Sequence, residues 1–136
     1  MTMKPVLHSF AYGLDYLREQ VADVRDGDMV AQPNGIVNHP AWVIGHLTHA
    51  CQLLGGVIGV SEWLPGDWAK RFGTGSVPVA DASVYESKND ALSILDDAQS
   101  RITQAVEELD DNQNHIGQLS VWRRAMGLPP MSRSFE

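Results

Sequence analysis

Val6, Phe10, Leu14, Leu17, Val21 and Val24 recur at three- and four-residue steps, the spacing of one face of an amphipathic helix. They predict a first helix from residue 6 to about 25, with Pro5 suited to its first turn. Gly27, Pro33, Asn34 and Gly35 then mark a loop from Asp26 to Asn38. A second helix starts at Asn38-His39-Pro40. Proline fits the first helical position, and the residue before it is pushed out of the α region, so His39 is the expected N-cap. This helix should run to about Gly59. The following stretch, SEWLPGDWAKRFGTGSVPVAD, is rich in Gly and Pro and reads as a long crossover that Trp63 and Trp68 pack down. Ser83 and Glu86, three apart, have the form of a capping box and open a third helix. Its stripe is Ala91, Leu95, Ala98, Ile102, Ala105, Val106 and Leu109, and DDNQN at 110 to 114 ends it. A fourth helix, short at about three turns, covers 114 to 126, with Gly127 as its C′ residue and Pro129 and Pro130 barring continuation.

No stretch reads as a strand. The pattern predicts an all-α protein, a four-helix bundle with a long crossover between helices 2 and 3, as one domain over residues 1 to 136. The 43% hydrophobic content suits a single domain with a real core. A formal net charge of −7 makes nucleic acid a poor partner. The one cysteine, Cys51, excludes an intrachain disulfide. The N-terminus has no long apolar signal region, and no run is long enough to span a bilayer. A cytoplasmic protein without membrane contact is expected. No Ser-His-Asp set, P-loop, G-x-G-x-x-G or C-x-x-C motif is present.

The chemistry lies in NHPAWVIGHLTHA, residues 38 to 50, where His39, His46 and His49 stand among apolar residues. At about 100° per residue, Trp42, Ala50, Leu53 and Val57 fall within about 40° of His46. His46 therefore lies on an apolar stripe, expected to face the bundle interior, with His49 at its margin. His115 lies in line with Leu119, Trp122 and Met126 on the last helix. Two facing helices that each point a histidine inward match the way bundle-core metal sites are built. The alternative is a pair of histidines hydrogen-bonded in the core. Cys51 falls on the opposite face and is a poor ligand. That face, with Ile44, Gly55 and Ile58, is also apolar or small, so helix 2 needs cover on both sides. A homodimer through helix 2 would supply it; so would the crossover.

NHPAWVIGHL followed by NHIGQLSVWRRAMGLP resembles the DinB-like superfamily of four-helix bundles, over most of the chain. The resemblance implies a divalent metal, nickel or zinc, held by three histidines. It carries the helix-two ligand onto His46 and the second histidine of the family's H-x-x-x-H onto His115. The first histidine of that pair falls at Asp111, a departure from the pattern. The family has more loop and helix before its H-x-x-x-H than this chain has between Leu109 and His115. His49 and His39 are additional candidate ligands.

The implied function is a divalent-metal-dependent enzyme acting on a small molecule, as an S-transferase or isomerase that uses a low-molecular-weight thiol. A bundle with open metal positions suits catalysis, because a bound metal lowers the pKa of a water or thiol. The alternative is a non-catalytic binding or stress-response bundle with a degenerate metal site.

Overall fold

The computed structural model describes residues 4–129, apart from the side chains of 110–117, 120 and 121. The described residues are helical with no strand. Three long helices, α1 (Lys4–Val21), α2 (Pro40–Val57) and α4 (Lys88–Ala125), are joined by 3₁₀ turns and by one short helix, α3 (Trp68–Phe72), set in the α2–α4 connection.

α2 starts where the sequence says it should. His39 has extended backbone (φ −82°, ψ 165°), Pro40 is the first helical residue, and the His39 side chain accepts from the Trp42 N–H. The end of the last helix is equally legible. Gly127 takes φ +72°, and the Leu128 N–H bonds back to the Arg123 carbonyl, which closes the helix with a left-handed residue that glycine adopts without strain.

Two expected helix boundaries fail. The third and fourth helices are one: α4 runs unbroken for 38 residues through 110–114. DDNQN contains neither Gly nor Pro, and Asp, Asn and Gln each disfavour a helix by well under ~1 kcal/mol, too little to stop one already formed. The start of α4 also differs. Ser87, not Ser83, is its N-cap and accepts from the Asp90 N–H at 3.2 Å. Asp81 caps the preceding 3₁₀ turn through the Ser83 N–H. Glu86 turns away to hold Arg71 in a two-pronged ion pair at 2.8 and 3.0 Å. That pair ties α3 to the entrance of α4, while Arg71 also lies over the Trp68 and Phe72 rings.

The core has two connected parts. Leu14 and Val21 of α1 meet Ala41 and Ile44 of α2 and Ala91 and Leu95 of α4. Further along, Cys51 meets Ala98, Ile102 and Val106. α2 and α4 therefore run parallel, and α1 runs against them. Lys88 fastens the far end of α1, donating to the Val21, Ala22 and Val24 carbonyls at and just beyond its last residue. Arg18 bridges α1 to Asp96 and Gln99 of α4.

This arrangement reverses the expected orientation of α2. Ile44, Cys51 and Gly55 face α4 and are buried. Trp63, folded back by the Gln52 carboxamide that accepts its backbone N–H, lies against Gly55. The face expected to need a second subunit is covered within the chain. The opposite stripe, Ala50, Leu53 and Val57, is exposed instead. A helix that is apolar nearly all round has no periodicity from which the inward face can be read.

Candidate functional site

α3 packs on α2 so closely that a Cβ at Gly45 would overlap the Phe72 ring. At Gly73 a Cβ would lie 2.5 Å from the Ala69 carbonyl oxygen of α3 itself, so glycine also closes that helix. The Gly45 carbonyl accepts from Trp68 Nε1 at 3.0 Å, and Trp68 and Phe72 are each 1% exposed. This contact brings the carbonyl end of α3 against the histidine-bearing side of α2.

His46 sits at that junction. Its Nδ1 is 2.7 Å from the Phe72 carbonyl oxygen. A carbonyl only accepts, so Nδ1 carries the proton, and in the neutral ring Nε2 holds the free lone pair. Trp42 stacks on the imidazole, centroids 4.5 Å apart and planes 11° from parallel. Trp42 is itself held by Ser76, whose Oγ accepts from the indole N–H at 2.9 Å and donates to the Gly73 carbonyl at 2.6 Å. The ring is thus fixed in orientation and tautomer by groups outside it, the support that metal-binding histidines characteristically have. No hydrogen-bond partner meets Nε2 among the described residues.

His49 lies one turn on, 8% exposed, with Nδ1 buried and without a hydrogen bond. Its Nε2 points at Gly73, 3.4 Å from where a Cβ would stand. It is not the marginal residue that helical geometry suggested, because α3 closes over it. His39 is different again. It is fully buried, Nδ1 accepts from the Trp42 N–H, and Nε2 lies 2.9 Å from the Val79 carbonyl, so it carries the opposite proton. Both nitrogens are engaged and no lone pair remains for an ion. Tyr85 meets the His39 ring edge-on, and its hydroxyl accepts from the Val79 N–H.

The structure thus brings His46 and His49 together beneath α3 and assigns His39 to the cap. Asp111 and His115 fall in α4, and their side chains lie outside the described residues. Among the described residues no three His, Cys, Asp or Glu side chains are grouped to hold one ion. Cys51 is 4% exposed, and burial pushes its thiol up to about 11. It therefore stays neutral and is neither ligand nor nucleophile. An open cleft of about 280 Å³ lies elsewhere, between Asp26, Met29, Ala41, Tyr85 and Glu86, and does not include His46.

Phe72, Gly73 and Ser76 escaped the sequence reading. Two of the three act through carbonyls, which any residue carries. Gly45, directly before His46, was the one available signal of a close approach.

No helix among the described residues is long and apolar enough to cross a membrane. No curated protein matches the chain. No solved structure matches it either. The family model of the DinB superfamily matches residues 10–130. With nearly the whole length matched, GHL on α2 and the HIGQL segment of α4 included, the chain belongs to the DinB superfamily.

Proposed function

We propose that this protein is a divalent-metal-dependent enzyme that uses a small external thiol, with His46 as its anchoring metal ligand. One observation carries the reading: the His46 ring is locked by the Phe72 carbonyl and the Trp42 face, with Nε2 left unengaged. That donor suits nickel or zinc, for which imidazole is a good ligand. His49, with its orphaned buried Nδ1, is the nearest second imidazole. His115 and Asp111 are the further proposed ligands, and they join His46 only in an arrangement that brings the middle of α4 back beside the first half of α2. When bound, the metal would supply Lewis-acid chemistry, favouring the thiolate over the thiol at neutral pH.

The chain's own residues supply the rest. The Phe72 carbonyl keeps the proton on Nδ1, so the donor atom is never lost to the wrong tautomer. Trp42 gives the site an apolar wall that shields one face of the ring from water. The thiol must come from outside, because Cys51 is buried and protonated. In the transfer, the external thiolate sulfur bonds to an electrophilic carbon, and the leaving group departs with the electron pair.

The test is calorimetric titration of metal-free protein with Ni²⁺ and with Zn²⁺. Wild type should bind one ion per site at micromolar concentration, and His46→Ala should bind at least about tenfold more weakly with its melting temperature little changed. Binding unchanged in His46→Ala overturns the assignment. Wild type that takes neither ion is the non-catalytic bundle of the alternative. If binding holds, turnover of 1-chloro-2,4-dinitrobenzene with a panel of small thiols tests the transferase step.

A further inference from the structure

α4 is too long for the body it packs on. Ile44 clusters with Ala91 and Leu95, Cys51 with Ala98 and Ile102, and Gly55 abuts Ile102, so α2 and α4 run level at an offset of 47 to 51. Val57, at the end of α2, is therefore level with residues 104 to 108. Leu7, near the start of α1, packs on the cluster that ends at Val106. The last 17 or more residues of α4, about 25 Å at 1.5 Å per residue, continue past the other described helices.

This distal arm is not a polar rod. Leu119, Trp122 and Met126, at three- and four-residue steps, are 58%, 54% and 62% exposed. α2 carries a second bare stripe, with Leu47, Leu54 and Val57 at 37%, 49% and 83%. Two apolar faces of this size on one small chain call for a partner. While α4 is continuous, neither can reach the other within the chain.

We propose that each face is the other's partner in a second copy of this chain: the distal arm of each α4 lies antiparallel on the α2 stripe of its mate, in a reciprocal, domain-swapped pair. The registers agree. Placing the two-fold at 110–114 sets Leu119 level with position 105 and hence with Leu54. The same placement sets Met126 level with position 98 and hence with Leu47. Trp122 then falls beside Ala50, which is exposed and small enough to receive an indole. One axis aligns both pairs because Leu47 and Leu54, like Leu119 and Met126, stand seven residues apart.

The area is sufficient. At ~200 Å² for a fully exposed large apolar side chain, these six expose roughly 700 Å² per chain. A reciprocal pair removes about twice that, within the ~1,200–2,000 Å² of specific interfaces. Each half of the assembly then holds α1, α2 and the proximal α4 of one chain with the distal α4 of the other: four helices, completed in trans. An exchanged element joined by an uninterrupted hinge is the usual anatomy of a swapped dimer. The inference rests on exposure and register and not on a metal: in this register His115 falls level with about position 58, well along α2 from His46, so the swapped pair does not itself bring those two side by side.

The experiment is light scattering coupled to size exclusion on the full chain in chelator, so that its outcome is independent of metal binding. A mass of twice 14.9 kDa is expected, falling to the single-chain mass in Leu54→Asp and in Trp122→Asp. Both positions are exposed, so the variants should keep their helical circular dichroism. A monomeric wild type overturns the proposal, as does a dimer that survives both substitutions. Cysteine pairing then separates exchange from folding back, in a Cys51→Ala background. Mixing a Leu54→Cys chain with a Leu119→Cys chain, the two positions this register sets level, should give an oxidised heterodimer. A Leu54→Cys/Leu119→Cys double variant that closes only on itself, within one chain, overturns the exchange.

Discussion

Gly45 and Gly56 are both interior residues of α2, and alanine should have opposite effects at the two. In a helix interior, replacing Gly by Ala contributes up to about 1 kcal/mol from backbone entropy and hydration, provided the new methyl meets nothing. At Gly56 no atom lies within 4 Å of the added Cβ, so Gly56→Ala should stabilise by about 0.5–1 kcal/mol. At Gly45 the same methyl would occupy the Phe72 ring, which is 1% exposed and boxed in by Trp68 at 4.7 Å. Overpacking of this kind costs typically 1–3 kcal/mol. Relief by lifting α3 would stretch the Trp68 indole bond to the Gly45 carbonyl, about another 1 kcal/mol. Set against the propensity gain, Gly45→Ala should destabilise by roughly 1–3 kcal/mol. Urea unfolding followed by circular dichroism measures both variants against wild type. The Gly45→Ala variant should also weaken metal binding, because the Phe72 carbonyl that orients His46 moves with α3. A Gly45→Ala protein as stable as Gly56→Ala would refute the tight α2–α3 contact, and with it the placement of His46.

Native protein should not react with a thiol reagent at pH 8, whereas urea-unfolded protein should titrate one thiol, since Cys51 is buried and held protonated. The same burial has a pH signature: the folded thiol titrates at about 11 against 9.0 unfolded. Above pH 9 the unfolded state loses this proton first, so stability falls as pH rises from 9 to 11, by about 2–3 kcal/mol in all; melting curves of wild type and Cys51→Ala should converge across that range. Glu86→Gln should cost roughly 1–3 kcal/mol, because Arg71, whose side chain is 17% exposed, keeps its charge while losing its two-pronged partner; a loss no larger than that of an exposed pair such as Arg101–Asp97 would place the clamp in solvent. His39→Ala should cost about 2–3 kcal/mol from the lost cap and the unpaired Val79 carbonyl, and His39→Asn should recover about 1 kcal/mol by restoring the cap alone; equal melting temperatures for the two variants would show that the cap contributes nothing.

The sequence by itself determined the helical class, the start of α2 and the end of α4. These features are local: a proline that lacks an N–H, a histidine forced out of the α region before it, a glycine free to take positive φ. It also singled out His46, but the bond to the Phe72 carbonyl that fixes its ring is visible only in the tertiary structure. It did not determine which side of α2 faces inward. Ile44, Cys51 and Gly55 on one side and Ala50, Leu53 and Val57 on the other are equally apolar, and only the docking of α4 chose between them. It did not show that His49 is buried, because the cover is α3, a five-residue helix too short for any periodic signal. The break expected at DDNQN rested on intrinsic preferences of a fraction of a kcal/mol per residue. Whether such a segment bends or continues depends on what its apolar face finds to pack against, and that is decided by tertiary, or quaternary, contact.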